Sequence, residues 1–129
     1  MVDFTGKFKL TSSDNFDEFL KQLGVNFVVR NLAKSATPTV EISKDGDLFT
    51  IKTISIKNTE IKFELGKEFE EARADGKNVK TSIVADGNKL IQVQKGDKEV
   101  KIVREFNGNE LKMILTVGSV TSVRVYTRQ

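Results

Sequence analysis

Residues 100–117, VKIVREFNGNELKMILTV, hold two alternating runs separated by the turn sequence NGNE. In the first run Val100, Ile102 and Phe106 share one phase, and in the second Leu111, Met113, Leu115 and Val117 do. A period of two places each set on one face of an extended strand, which predicts an antiparallel hairpin with a dry face and a wet face. Arg104 falls on the dry phase. A guanidinium stays charged in a protein and is costly to bury without an acceptor. It can lie at a sheet edge, run its stem out to water, pair with a glutamate on a neighbouring strand, or meet an anionic ligand, and alternation alone does not choose among these.

The same rhythm extends through most of the chain. From Pro38 onward, KDGD, LGKE, ADGKN, ADGNK, KGDK and NGNE punctuate segments rich in valine, isoleucine, threonine and phenylalanine, the spacing of a meander of hairpins. In TEIKFEL the phase shared by Ile61, Phe63 and Leu65 is apolar. Counting GKFKL near the start, there are about ten strands, and sequential strands most commonly hide their edges by closing into an up-and-down barrel. The expected fold class is therefore all-β, a ten-stranded up-and-down antiparallel barrel. Eight strands leave room for side chains or one small ligand, so ten should enclose a cavity suited to a small amphipathic molecule. In the last strand, VTSVRVYTRQ, Arg124 and Tyr126 lie on one face and Val123 and Val125 on the other, and periodicity does not say which is inside.

One segment has a different period. In SDNFDEFLKQLGVNFVVRNLAKSA, Phe16, Phe19, Leu20 and Leu23 recur at helical spacing, Asn15 with Glu18 resembles a capping box, and Gly24 supplies a stop. A second helix follows from Asn26, with Val28, Val29, Leu32, Ala33 and Ala36 on a broad apolar side, and ends before Pro38. The pair makes a helical hairpin, spanning about 15–36, whose apolar faces need a surface to cover. The open end of the barrel is the one available.

Composition narrows the function. With 129 residues, no cysteine, one proline and 38% hydrophobic residues, the chain suits one compact domain over 1–129. Neither a cleavable leader nor an apolar run of membrane-spanning length is visible, so a soluble cytoplasmic protein is expected. The 21 basic and 18 acidic residues are interleaved rather than gathered into a stripe, and most of the nine phenylalanines fall on buried phases or in the helices, which argues against nucleic acid as a partner. Without histidine or cysteine the chain lacks the usual general base, the thiol nucleophile and the commonest transition-metal ligands, and it has no glycine-rich phosphate loop. Neither catalysis nor a cofactor or metal is expected.

Gly6, Phe8, Leu10, Asn15, Phe16, Asp17 and Phe19 match the N-terminal signature of the intracellular lipid-binding proteins. Agreement continues in KNTEIKFELGKEFEE, ADGKNVK, DGNKL, QKGDKE, IVREF and the terminal VRVY. Over essentially its whole length the chain resembles that family, and within it the fatty-acid-binding proteins of the muscle or heart type, with an arthropod character. The resemblance implies two nearly orthogonal sheets closed into a barrel, with the helix-turn-helix lid between strands 1 and 2 forming part of a ligand portal. It also resolves the last strand: in such proteins an arginine and a tyrosine spaced like Arg124 and Tyr126 hold the ligand carboxylate, helped by an arginine at the position of Arg104. By the same transfer, the walls nearest the acyl tail comprise Phe16, Phe19, Val25, Val29, Ala33, Pro38, Thr53, Ser55, Asp75, Ile102, Met113 and Leu115.

The function implied is an intracellular carrier that takes up a long-chain fatty acid reversibly and delivers it to membranes or enzymes. A retinoid carrier of the same fold is the alternative. A monomer is expected, with transient membrane contact through the lid. Lys21, Arg30 and Lys34 read as a solvated helical face, and the resemblance adds membrane contact or nuclear entry for such basic clusters. By composition Asp75 is a turn residue; its place in a cavity water network comes from the resemblance alone. Two departures stand out: the portal phenylalanine is missing from SIKNTE, where Ile56 sits beside Lys57, and Gly96 replaces a tryptophan.

Overall fold

The computed structural model describes residues 3–55 and 57–129. Its strands are β1 (Gly6–Asp14), β2 (Thr39–Asp45), β3 (Leu48–Ile54), β4 (Thr59–Phe63), β5 (Phe69–Ala72), β6 (Asn78–Asp86), β7 (Lys89–Gln94), β8 (Val100–Asn107), β9 (Glu110–Val117) and β10 (Val120–Arg128). Two helices, α1 (Phe16–Leu23) and α2 (Phe27–Ser35), lie between β1 and β2. The ladder runs continuously in the order β4-β3-β2-β1-β10-β9-β8-β7-β6-β5, every pairing antiparallel. This is the expected ten-stranded barrel with the helical pair between its first two strands. Closure is not quite complete: among the described residues β4 and β5 share no ladder, and the seam is spanned instead by the stacked rings of Phe63 and Phe69, 5.9 Å apart.

The hairpin of residues 100–117 forms as its alternation predicts. Val100, Ile102, Arg104 and Phe106 all point inward and are buried. They stand opposite Val117, Leu115, Met113 and Leu111 across the β8–β9 ladder. The turn needs only Gly108 and Asn109, because Gly108 at φ +61° adopts the first position of a primed hairpin turn without a Cβ clash. In TEIKFEL the alternation ends sooner than the sequence suggests. β4 stops at Phe63, and Leu65 is 39% exposed in the turn that Gly66 reverses at φ +78°.

The helices divide their labour differently from the sequence expectation. α1 contacts β9 and β10 and buries Phe19, Leu20 and Leu23, each worth about 1.5–3 kcal/mol when removed from water. Gly24 ends it in the left-handed conformation, its N–H donating to Leu20 O and Lys21 O at 3.1 Å. The anticipated capping box at Asn15 does not form. Asn15 is itself left-handed, and its amide donates to Thr121 O at 3.0 Å, so the side chain ties the helix start to β10 rather than capping it. Asn26 does cap α2, its oxygen accepting from the Val29 N–H at 3.0 Å. α2 buries none of its residues: it packs on α1, and Phe27, Val28, Val29 and Leu32 remain exposed on the outside of the hairpin. α1 makes most of the helical contact with the barrel, and α2 reaches the interior cluster through Ala33 while leaving most of its apolar face exposed.

The interior is apolar at both ends and polar between them. One cluster, at the end away from the helices, gathers Phe8, Val40, Ile42, Phe49, Phe63, Leu90, Phe106, Leu111 and Tyr126 among others. The second joins Phe19, Leu20, Leu23 and Val25 to Val100, Ile102, Leu115 and Val117. Met113 packs against both. Buried polar side chains also face inward, among them Thr81, Gln92, Gln94, Arg104 and Arg124.

Candidate functional site

Met113 on β9 stands opposite Arg104 on β8 and opposite Arg124 on β10. Neighbouring strands lie about 4.8 Å apart, so the two arginines leave the same wall roughly 10 Å from one another. Tyr126 follows Arg124 on the same face by the period of the strand. Both arginines and the tyrosine are buried, at 7%, 5% and 3% exposure. The phase that periodicity left open in the last strand is thereby fixed, with Arg124 and Tyr126 inside.

Neither arginine has a carboxylate within ion-pairing distance among the described residues. Arg124 donates through Nη1 to Ser13 Oγ at 3.0 Å and weakly through Nε to the Tyr126 hydroxyl at 3.4 Å, while its guanidinium lies 3.8 Å above the Phe16 ring. Arg104 donates through Nη1 to Gln92 Oε1 at 2.5 Å. Burial pushes the Arg104 guanidinium below its ordinary range, and the Glu71 carboxylate and Tyr126 push it back. Every fully covered side-chain nitrogen or oxygen among the described residues has a partner. Among the described residues the remaining N–H groups of Arg104, Arg124 Nη2 and the Tyr126 hydroxyl proton have no protein acceptor. These donors lie on the same inward face of neighbouring strands, and their chemistry suits an anion.

A cleft of about 210 Å³ leads to Arg124 from the helical side, lined by Leu10, Ser13, Phe16, Leu20, Arg30, Ala33 and Ala36 among others. Typical ligand pockets run roughly 300–1,000 Å³. The cleft is thus of a size for a way in rather than for a whole binding site.

The other residues expected along the tail are distributed unevenly. Phe16 stacks on Phe19 at 6.1 Å, and Val25, Ile102 and Leu115 lie in the cluster beneath α1 with Met113 beside them. Ala33 lines the cleft. Pro38 is buried, with its carbonyl accepting from Leu10 N–H at 3.0 Å. Thr53 lines a surface groove at the end of β3, and the Ser55 N–H donates to Asn58 Oδ1 at 3.2 Å. Val29 is 42% exposed on α2. Asp75 is held in a two-point ion pair with Arg73, at 2.9 and 3.1 Å, with both side chains almost wholly covered. Arg73 also donates to Lys98 O at 2.7 Å. The departure at Ile56 lies outside the described residues.

Sequence reasoning missed the acidic half of the interior. Glu71 on β5 points inward, its Oε1 accepting from Thr81 Oγ1 at 3.0 Å, Gln92 Nε2 at 2.8 Å and Gln94 Nε2 at 3.0 Å. The signal was present: Phe69, Glu71 and Arg73 share a phase, as do Leu90, Gln92 and Gln94.

A nearly closed antiparallel barrel with a helical hairpin at its mouth and buried arginines inside has the architecture of a calycin-like lipid-binding barrel. The chain belongs to the lipocalin / cytosolic fatty-acid binding protein family, whose model matches residues 5–129. Among curated proteins it is 66% identical to a fatty acid-binding protein of Tyrophagus putrescentiae, with all of both chains covered. A fatty acid-binding protein of Lepidoglyphus destructor is 56% identical over 99% of each chain. Among solved structures, a fatty acid-binding protein from brain tissue of Drosophila melanogaster superposes with a TM-score of 0.94 at 53% identity, covering 97% of this chain and 99% of that one. No helix among the described residues is long and apolar enough to cross a membrane.

Proposed function

We propose that this chain is a cytoplasmic carrier, acting as a monomer without catalysis, that binds one long-chain fatty acid reversibly inside the barrel. The ligand carboxylate is received by Arg124 and Tyr126, with Arg104 as a further donor, and the tail runs along Phe16, Met113, Ile102 and Leu115. The observation that carries this reading is the pair of buried guanidinium groups with no carboxylate partner and with donors left over. Affinity comes mainly from the tail. About fifteen methylenes at ~0.8 kcal/mol give roughly 12 kcal/mol of gross transfer energy, comparable with nanomolar binding before association costs. The charged groups offset carboxylate desolvation and fix orientation.

Delivery follows from the outer face of α2. Phe27, Val28 and Leu32 are exposed there with Arg30 and Lys34 on the same helix, and this face touches a membrane when cargo is passed on. Native mass spectrometry of the purified protein, followed by solvent extraction, tests the ligand class. A co-purifying C16 to C20 fatty acid is the expected result, and competition between oleate and retinoic acid separates the fatty-acid carrier from a retinoid carrier of the same fold. Tighter binding of retinoic acid would overturn the assignment.

A further inference from the structure

We propose that Glu71 sets the head-group charge the barrel accepts, admitting a lipid with a single negative charge and disfavouring one whose head carries two. The inference rests on the carrier reading above and names the ligand class more narrowly. Inside the barrel three charged side chains define the balance around the anion site, Arg104 and Arg124 positive and Glu71 negative, while in the cleft toward the helices Asp17 pairs with Arg30 at 3.2 Å and with the half-exposed Lys34 at 3.8 Å. Arg73 and Asp75 neutralise one another at the β5–β6 turn.

Arg104 is compensated from within the protein. Its Nη1 donates to Gln92 Oε1, and Gln92 Nε2 in turn donates to Glu71 Oε1 at 2.8 Å. Arg124 has only the neutral hydroxyls of Ser13 and Tyr126 and the face of Phe16. The interior therefore carries one positive charge that a monoanionic head cancels. A dianion would leave one negative charge uncompensated among largely buried side chains, where an unpaired charge is costly.

The charge on Glu71 is what needs a reason. A glutamine oxygen would offer the donors of Thr81, Gln92 and Gln94 two neutral lone pairs, accepting fewer and weaker bonds but without the desolvation cost of a carboxylate. Hydrogen bonding within the barrel thus explains a strong acceptor at position 71, and the charge of the neighbouring guanidinium groups is a second reason for that acceptor to be an acid.

The test compares hexadecyl sulfate with hexadecyl phosphate, which share a chain and a tetrahedral head. At about pH 8, roughly two units above the second phosphate ionisation, they differ by one charge. Each competes with a fluorescent fatty acid at concentrations below micelle formation. The wild-type protein should bind the phosphate on the order of tenfold more weakly than the sulfate, the size of effect that one charge exerts across a partly hydrated interior. The isosteric Glu71→Gln should bring the two to within about twofold, and Arg104→Met, which shifts the interior charge the other way, should widen the gap. Equal binding by the wild-type protein would overturn the inference, as would a Glu71→Gln protein that binds both more weakly at an unchanged ratio, because a purely structural role moves both ligands together. If palmitate and both probes all fail to displace the fluorescent ligand, the carrier reading itself falls and takes this inference with it.

Discussion

Replacing Arg124 with leucine should weaken fatty-acid binding while leaving the empty protein at least as stable. The two effects have different origins. In the empty protein Arg124 is buried with two neutral oxygen partners, one of them at 3.4 Å, and a ring contact to Phe16. The cation–π contact contributes about 1–2 kcal/mol, whereas keeping an unpaired guanidinium out of water costs several kcal/mol, so an apolar side chain of moderate volume is neutral or stabilising. In the complex the arginine adds a charge-assisted hydrogen bond to the carboxylate, worth about 1.5–3 kcal/mol, or roughly 10- to 150-fold in Kd. Isothermal titration with palmitate and with hexadecanol, alongside thermal unfolding of the empty proteins, separates these contributions. Palmitate should lose affinity and the alcohol should not, with Tm unchanged or raised. An equal loss for the two ligands, or a fall in Tm by several degrees, would refute a head-group role and make Arg124 a structural residue.

Two further perturbations address the scaffold. The buried Arg73–Asp75 pair should make Arg73→Met destabilising by about 3–5 kcal/mol in urea unfolding, with much of that recovered in Arg73→Met/Asp75→Leu, since the loss comes from stranding one charge. Burial raises the Asp75 pKa, but the bonds from Arg73 and the Lys77 N–H lower it further, to a net value below the ordinary 3.8. The resulting stability is present above that ordinary value and is lost as pH falls through the depressed one, so Asp75→Asn should flatten the acid limb of a stability profile below about pH 4. Lys98 joins this pair to the lid, its Nζ donating at 2.7 Å to Gln22 O near the C-terminal end of α1. Lys98→Met should accordingly speed fatty-acid dissociation severalfold in stopped-flow transfer, and an unchanged rate would remove the latch from the release pathway.

The readability of each part of the molecule follows from the range of the interaction that forms it. Period-two alternation is local, and it placed Val100, Ile102, Arg104 and Phe106 on one buried face without any knowledge of neighbouring strands. The last strand alternates on both faces, so nothing local distinguishes Arg124 from Val125, and only closure of the barrel or a family resemblance decides. Asn15 misled for a similar reason. Its spacing to Glu18 suits a cap, but a partner more than a hundred residues away, Thr121 O, takes the amide. On α2 the apolar residues look like a packing stripe because sequence carries no record of whether a surface is available to cover them. Glu71 was legible in phase and overlooked, since an acid in a turn-rich, charged segment reads as solvated until three buried donors are found on one of its oxygens.

The seam between β4 and β5 has a consequence for solubility. A slit held by ring stacking can widen without rupturing backbone bonds, but it leaves two strands with unsatisfied amides and carbonyls that could template fibrils. The outward positions along it are Glu60 and Lys62 on one side and Glu70 and Ala72 on the other, three of the four charged. Like gatekeepers beside an open door, these charges disfavour the docking of a second chain there, so a barrel left open along one seam can still stay dispersed.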